Sequence, residues 1–126
     1  FHECMKGCRR EELWVLSMDG ACRATTVVRV SVGTEDGVQV ESSLVLGAAA
    51  ISGCESFVLG HNHPTGDPTP SLADWTATSE LLSACDLVGL ELVDHVVVAP
   101  RSSGGVYVSL RSRNEGLFLG ERGLGS

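Results

Sequence analysis

Between Glu11 and Met18 both alternating faces are apolar, with Leu13 and Val15 on one and Trp14, Leu16 and Met18 on the other. That pattern predicts a central strand covered on both sides. Asp19-Gly20 is a hairpin-turn pair, and the β-branched run from Ala24 to Val32 predicts a second strand antiparallel to the first, ended by Glu35-Asp36-Gly37. From Val40 to Ser52, Leu44, Ala48 and Ile51 recur at helical spacing before a Gly53 stop. A short apolar strand, Phe57 to Leu59, then runs into Gly60 and His61. The segment from His61 to Pro70, HNHPTGDPTP, holds three of the 4 prolines and predicts a stiff loop. Ser71 to Val88 sets Leu72, Trp75, Leu82 and Cys85 at three- and four-residue steps, an amphipathic helix with Gly89 where a C-terminal cap belongs. Leu92 to Ala99 predicts a buried strand, and Val106 to Leu110, after the Gly104-Gly105 turn, a partly exposed one. The order ββαβαββ predicts a single α/β (α+β) domain over residues 11–110, a mixed sheet flanked by helices. Residues 1–10 form an N-terminal segment, and 111–126 read as a Gly-rich, flexible tail.

Length and charge narrow the class. A chain of 126 residues is one ordinary domain. Nine Lys plus Arg against 16 Asp plus Glu give a formal charge of −7, and the basic residues are scattered. Direct nucleic-acid binding, which needs a basic face for phosphates, is therefore disfavoured. The longest nearly apolar stretch, Leu44 to Cys54, is far short of the roughly 18 residues of a membrane span. The 5 cysteines, at 4, 8, 22, 54 and 85, contain no CxxC pair and do not read as a secreted disulfide framework, so a cytoplasmic setting is expected. The chain opens on Phe1 rather than Met and lacks the apolar core of a signal peptide, as a trimmed fragment would. His2, Cys4 and Cys8 offer the beginnings of a second metal site, although chain ends gather such residues by accident.

The candidate chemistry is concentrated around the proline-rich loop. His61 and His63 project in the same direction, because side chains repeat with period two in extended chain. Asp74, in the first turn of the following helix, supplies a third ligand once the loop folds back. Two imidazoles and one carboxylate, with a fourth position left to water, is the ligand count of a catalytic zinc site. Ser71 lies near the same mouth, where its hydroxyl can reach a developing oxyanion, and Glu11 or Glu12 can take a proton from water. Glu11 shares a face with Leu13 and Val15, but spacing alone leaves the choice between the two glutamates open. Ser71-x-x-Asp74 is also a capping box, and the two roles are compatible. Asp67 is a rival ligand by proximity, although it sits in a Gly-Asp-Pro turn where Asp is common for conformational reasons. The full spacing His61-x-His63-x7-Ser71-x2-Asp74 arises by chance in fewer than about one chain in a thousand of this composition.

His61-Asn62-His63-Pro64 with Ser71, Asp74 and an upstream glutamate resembles the JAMM metal signature of the JAB/MPN superfamily of zinc-dependent peptidases and isopeptidases. The segment HNHPTGDPTPSLAD, Leu90 to Val98, the Gly33-Thr34 pair and Val106 to Leu110 are similar to the RadC-type branch, and the likeness covers most of residues 11–110. Thr65 stands where that branch usually has serine, and residues 40–43 lack its usual Pro-Arg-Glu. The resemblance implies the JAB fold, with a cytidine-deaminase-like layout. It implies Zn2+ held by His61, His63 and Asp74, Ser71 as oxyanion stabiliser, and a glutamate base that falls on Glu11 when counted back from Asp19. It also implies a peptide or ubiquitin-like conjugate as substrate. The alternative it leaves is a RadC-like accessory module of DNA repair or mobile elements that does not turn over a substrate. A nucleobase deaminase is excluded, because the His-x-Glu and Pro-Cys-x-x-Cys of those zinc sites are missing. Asp94-His95 matches a dipeptide of the branch, and such a pair in a buried strand is most often structural or supports a neighbouring ligand.

Overall fold

The computed structural model describes residues 11–21, 23–32, 41–63, 66–99 and 106–120. Five strands form one sheet: β1 (Glu12–Met18), β2 (Ala24–Val32), β3 (Ser56–Asn62), β4 (Glu91–Val98) and β5 (Tyr107–Ser109), in the order β2-β1-β3-β4-β5. The pairing of β3 with β4 is parallel and the others are antiparallel. Helix α1 (Ser42–Ser52) links β2 to β3, and α2 (Leu72–Val88) makes the crossover that a parallel β3–β4 pair requires. Two short helices, α3 (Leu110–Arg113) and α4 (Glu115–Phe118), follow β5. This is the single mixed α+β domain expected from the order of elements.

Local chemistry explains the boundaries. The β1–β2 turn closes on the Asp19 carboxylate, which accepts the N–H groups of Ala21 (2.8 Å) and Arg23 (3.0 Å). Helices α1 and α2 both stop at a left-handed glycine, Gly53 with φ 70° and Gly89 with φ 76°, a conformation that a Cβ would penalise. The core is built from Leu13, Val15, Phe57, Leu59 and Leu92 of the sheet, Val45 and Ala49 of α1, and Leu81, Leu82 and Cys85 of α2.

The helical faces differ from those the apolar spacing predicts. In α1 the buried residues are Val45 and Ala49, while Leu44 and Ile51 are 50% and 91% exposed. The segment SSLVLGAAAIS is apolar nearly all round, so its periodicity cannot choose a face, and packing against β1 and β2 chooses instead. In α2, Leu72 is exposed and the inward stripe is Asp74, Thr78, Leu81, Leu82 and Cys85, two of its members polar. Strand β3 runs past Leu59 to Asn62 because β1 and β4 pair with it on both sides as far as His61. Leu110, expected as the last residue of a strand, instead opens α3, where the Ser109 hydroxyl accepts the Ser112 N–H at 3.1 Å. The stretch expected to be a flexible tail from residue 111 holds α3 and α4, with Leu117 and Phe118 packed on the core. Residues 1–10, with His2, Cys4 and Cys8, lie outside the described residues, as do Cys22, the turn at 35–37, Val40, Pro64, Thr65, Gly104-Gly105 and 121–126. Among the described residues no helix is long and apolar enough to cross a membrane.

Candidate metal centre

The end of β3 and the start of α2 meet at one point. Leu13 of β1 lies opposite His61 of β3, and residues directly opposite in an antiparallel pair share a face. Carrying that register one step further along the same face sets Glu11 opposite His63. Glu12, on the other face, donates its N–H to the Asn62 side-chain oxygen, and its carboxylate accepts from the Arg29 guanidinium at 3.1 Å. On that extended register Glu11, rather than Glu12, falls on the face of the histidines. Its negative charge acts on both rings, favouring their protonated forms.

Asp74 reaches the same point because Ser71 caps α2. The Ser71 hydroxyl accepts the Asp74 N–H at 3.1 Å, and the Asp74 Oδ2 accepts the Ser71 N–H at 2.9 Å, a reciprocal capping box that fixes the carboxylate. The His61 Nε2 lies 3.5 Å from Asp74 Oδ1, and the His63 Nε2 lies 3.3 Å from Asp74 Oδ2. Taking one ligand atom from each residue, all three lie within 4.8 Å of one another. Ligand atoms around a tetrahedral zinc with bonds of about 2.0–2.1 Å are separated by about 3.3 Å, so the three side chains would have to draw closer together to share one ion.

The far side of each ring is tied back. The His63 Nδ1–H donates to the Asp67 carbonyl at 3.0 Å, since a carbonyl can only accept. The His61 Nδ1 lies 2.9 Å from Nε2 of His95, a residue of β4 with no exposure to solvent. The Asp67 carboxylate, the rival ligand, instead accepts the N–H (3.0 Å) and hydroxyl (2.7 Å) of Thr69 within its own turn.

The electrostatics of the cluster follow from burial and from the Asp74 carboxylate. Burial lowers the pKa of His61 below the ordinary imidazole value, against the pull of Asp74. The hydrogen bond to Asp74 raises that of the less buried His63. Burial pushes the Asp74 carboxyl up, but the hydrogen bond from His63, the charge of His61 and the Ser71 N–H outweigh it and hold the carboxyl well below the usual range. Burial also pushes His95 down, so that ring is neutral. His61, His63 and Asp74 could hold a metal ion; Ser71 is hydrogen-bonded to Asp74, and the Glu11 charge acts on both rings.

The sequence pattern singled out nothing at Thr78 and gave the Asp94-His95 pair only a structural or ligand-supporting place. Thr78 is completely buried, and its hydroxyl lies 2.7 Å from the His95 Nδ1 and 2.7 Å from the Asp74 carbonyl. The available signal was a polar residue one helical turn after Asp74, together with a histidine inside the apolar strand ELVDHVVV.

Comparison with known proteins places these observations. The family described as the RadC-like JAB domain matches residues 1–117. A UPF0758 protein of Coprothermobacter proteolyticus is 37% identical over 89 residues, covering 71% of this chain and 38% of the relative. A UPF0758 protein of Pelobacter propionicus is 36% identical over 113 residues, covering 90% of this chain and 48% of the relative. One from Desulforudis audaxviator is 34% identical over 109 residues. The chain spans less than half the length of these relatives.

Proposed function

The chain belongs to the RadC-like JAB family, and on that premise we propose that it is a zinc-dependent hydrolase of peptide or isopeptide bonds. One observation carries the reading: one ligand atom from each of His61, His63 and Asp74 lies within 4.8 Å of the others, and the negative charge of Glu11 acts on both rings. Two imidazoles and one carboxylate match the donor set of hydrolytic zinc sites, which keep a position open. A zinc ion held there would polarise a substrate carbonyl and make water acidic near neutral pH.

The chain's own residues supply the rest. Glu11 takes a proton from the attacking water and returns it to the leaving nitrogen as the carbon–nitrogen bond breaks, which restores its carboxylate. The Ser71 oxygen accepts the Asp74 N–H, so its own O–H remains to donate to the carbonyl oxygen as negative charge develops there. Ser71 is exposed and His63 partly so, whereas His61 is buried, which leaves the mouth of the site on the Ser71 side. An acidic chain with a scattered set of basic residues suits a peptide or a ubiquitin-like conjugate better than nucleic acid.

The test compares zinc content with hydrolysis in Glu11→Gln and Glu12→Gln, using peptide and ubiquitin-like conjugates. Glu11→Gln is expected to keep its zinc and lose at least about a hundredfold in rate, the usual scale for a removed general base. Glu12→Gln is expected to keep both, at a stability cost under about 1 kcal/mol because its partner Arg29 is more than half exposed. Equal turnover by the parent and Glu11→Gln would refute the assignment of the base. A parent that binds zinc but cleaves none of the conjugates would favour an interaction module.

A further inference from the structure

Behind His61 runs a string of buried polar groups that the hydrolytic reading does not use. The His61 Nδ1 meets the His95 Nε2 at 2.9 Å, the His95 Nδ1 meets the Thr78 hydroxyl at 2.7 Å, and that hydroxyl meets the Asp74 carbonyl at 2.7 Å. His61, His95 and Thr78 are all at most 1% exposed, so water cannot substitute for a missing partner.

One arrangement of protons leaves all three contacts along this string attractive. The Asp74 carbonyl can only accept, so the single Thr78 proton points at it, the back-bond to residue i−4 that helical threonine commonly makes. The Thr78 oxygen must then accept, so His95 carries its proton on Nδ1. The His95 Nε2 is left with a lone pair and accepts from His61, which must carry its proton on Nδ1. The lone pair of His61 is thereby confined to Nε2, the atom that faces Asp74. In the reverse arrangement His61 would turn an N–H toward the Asp74 carboxylate at 3.5 Å, but two oxygens would stand 2.7 Å apart in the buried interior with no proton between them.

We propose that Thr78 and His95 are positioning residues that set the tautomer of His61, so that its Nε2 is available to a metal ion before the ion arrives. Neither residue changes charge in this scheme, and neither touches the metal. The inference rests on the proposed metal centre, but its primary readout does not need metal.

That readout is the long-range proton–nitrogen correlation spectrum of the metal-free chain, labelled with nitrogen-15 in histidine and recorded at mildly alkaline pH. The parent is expected to show His61 and His95 protonated on Nδ1. Thr78→Val, which keeps the shape but cannot accept from His95, is expected to shift both rings toward the Nε2–H form. Thr78→Ser, which restores the hydroxyl, should return them. Zinc affinity by chelator competition should follow, with Thr78→Val weaker by about ten- to a hundredfold, the scale for losing a group that orients a ligand, and Thr78→Ser close to the parent. Circular dichroism of all three checks that the fold is kept, and His95→Gln, which can still accept from His61, provides a second variant that should retain most of the affinity. An Nε2–H tautomer of His61 in the parent would overturn the proposal, as would a Thr78→Val variant with unchanged tautomers. A parent that binds no zinc would refute the metal centre, while the tautomers of the metal-free chain would still decide the relay.

Discussion

Replacing Asp74 by Asn deletes one negative charge while keeping the shape of the side chain. The amide oxygen can still accept the Ser71 N–H, so the cap of α2 survives. The loss is the charged contact with His63 at 3.3 Å. Both Asp74 and His63 have side chains less than 15% exposed, so solvent screens this contact little. A hydrogen bond between charged groups contributes about 1.5–3 kcal/mol, but the variant also escapes the desolvation of a buried carboxylate, leaving a net loss of about 1–2 kcal/mol. The sign depends on pH. The pKa of His63 is raised by Asp74, so this contribution is complete below the unfolded value of about 6.5 and fades as pH rises through the folded one. The metal-free variant should therefore fall further behind the parent at about pH 6 than at about pH 8. With zinc at about a hundred times its dissociation constant the parent should gain about 2.7 kcal/mol, and the variant almost nothing. Urea unfolding at both pH values, with chelator and with zinc, measures all of these differences. A zinc-dependent gain in Asp74→Asn equal to that of the parent would refute the role given to the carboxylate.

Two further outcomes follow from burial. Val45→Ala, which removes two methyl groups from a fully buried site, should cost about 2 kcal/mol in urea unfolding, whereas Ile51→Ala on the exposed side of α1 should cost less than about 0.5; the reverse order would mean the helix is turned the other way. The folded pKa values of His61 and His95 are lowered by burial, so the unfolded chain takes up protons that the folded chain does not. The metal-free protein should therefore lose stability as pH drops below about 6.5, by at most about 2.7 kcal/mol per pH unit for two protons, and a flat profile between about pH 7 and pH 5 would contradict their burial as neutral rings.

Much of this architecture could be read from residues alone, for identifiable reasons. The β-branched run of β2 keeps the bounds Ala24 and Val32, and Gly53 and Gly89 stop their helices, because these signals are local. The grouping of His61, His63 and Asp74 was legible because period-two spacing and a capping box are also local. What was not legible depends on packing between distant segments. The nearly uniform apolar surface of α1 concealed which residues face the sheet until β1 and β2 packed against it. Glu11 and Glu12 were separated only by the register of β1 against β3, which pairs residues about fifty positions apart. Thr78 and His95 come from different elements, and a lone threonine in a helix or a lone histidine in a strand announces nothing until the two lie 2.7 Å apart.

X-ray absorption at the zinc edge of the purified 126-residue chain tests the central claim most directly. One zinc per chain is expected, with a shell of nitrogen and oxygen at about 2.0–2.1 Å, imidazole scattering from two rings, and loss of that signal in Asp74→Ala but not in Asp67→Ala. A chain that takes up no zinc, or a zinc with sulfur neighbours at about 2.3 Å, would contradict it, the latter by placing the metal on cysteine instead of His61, His63 and Asp74.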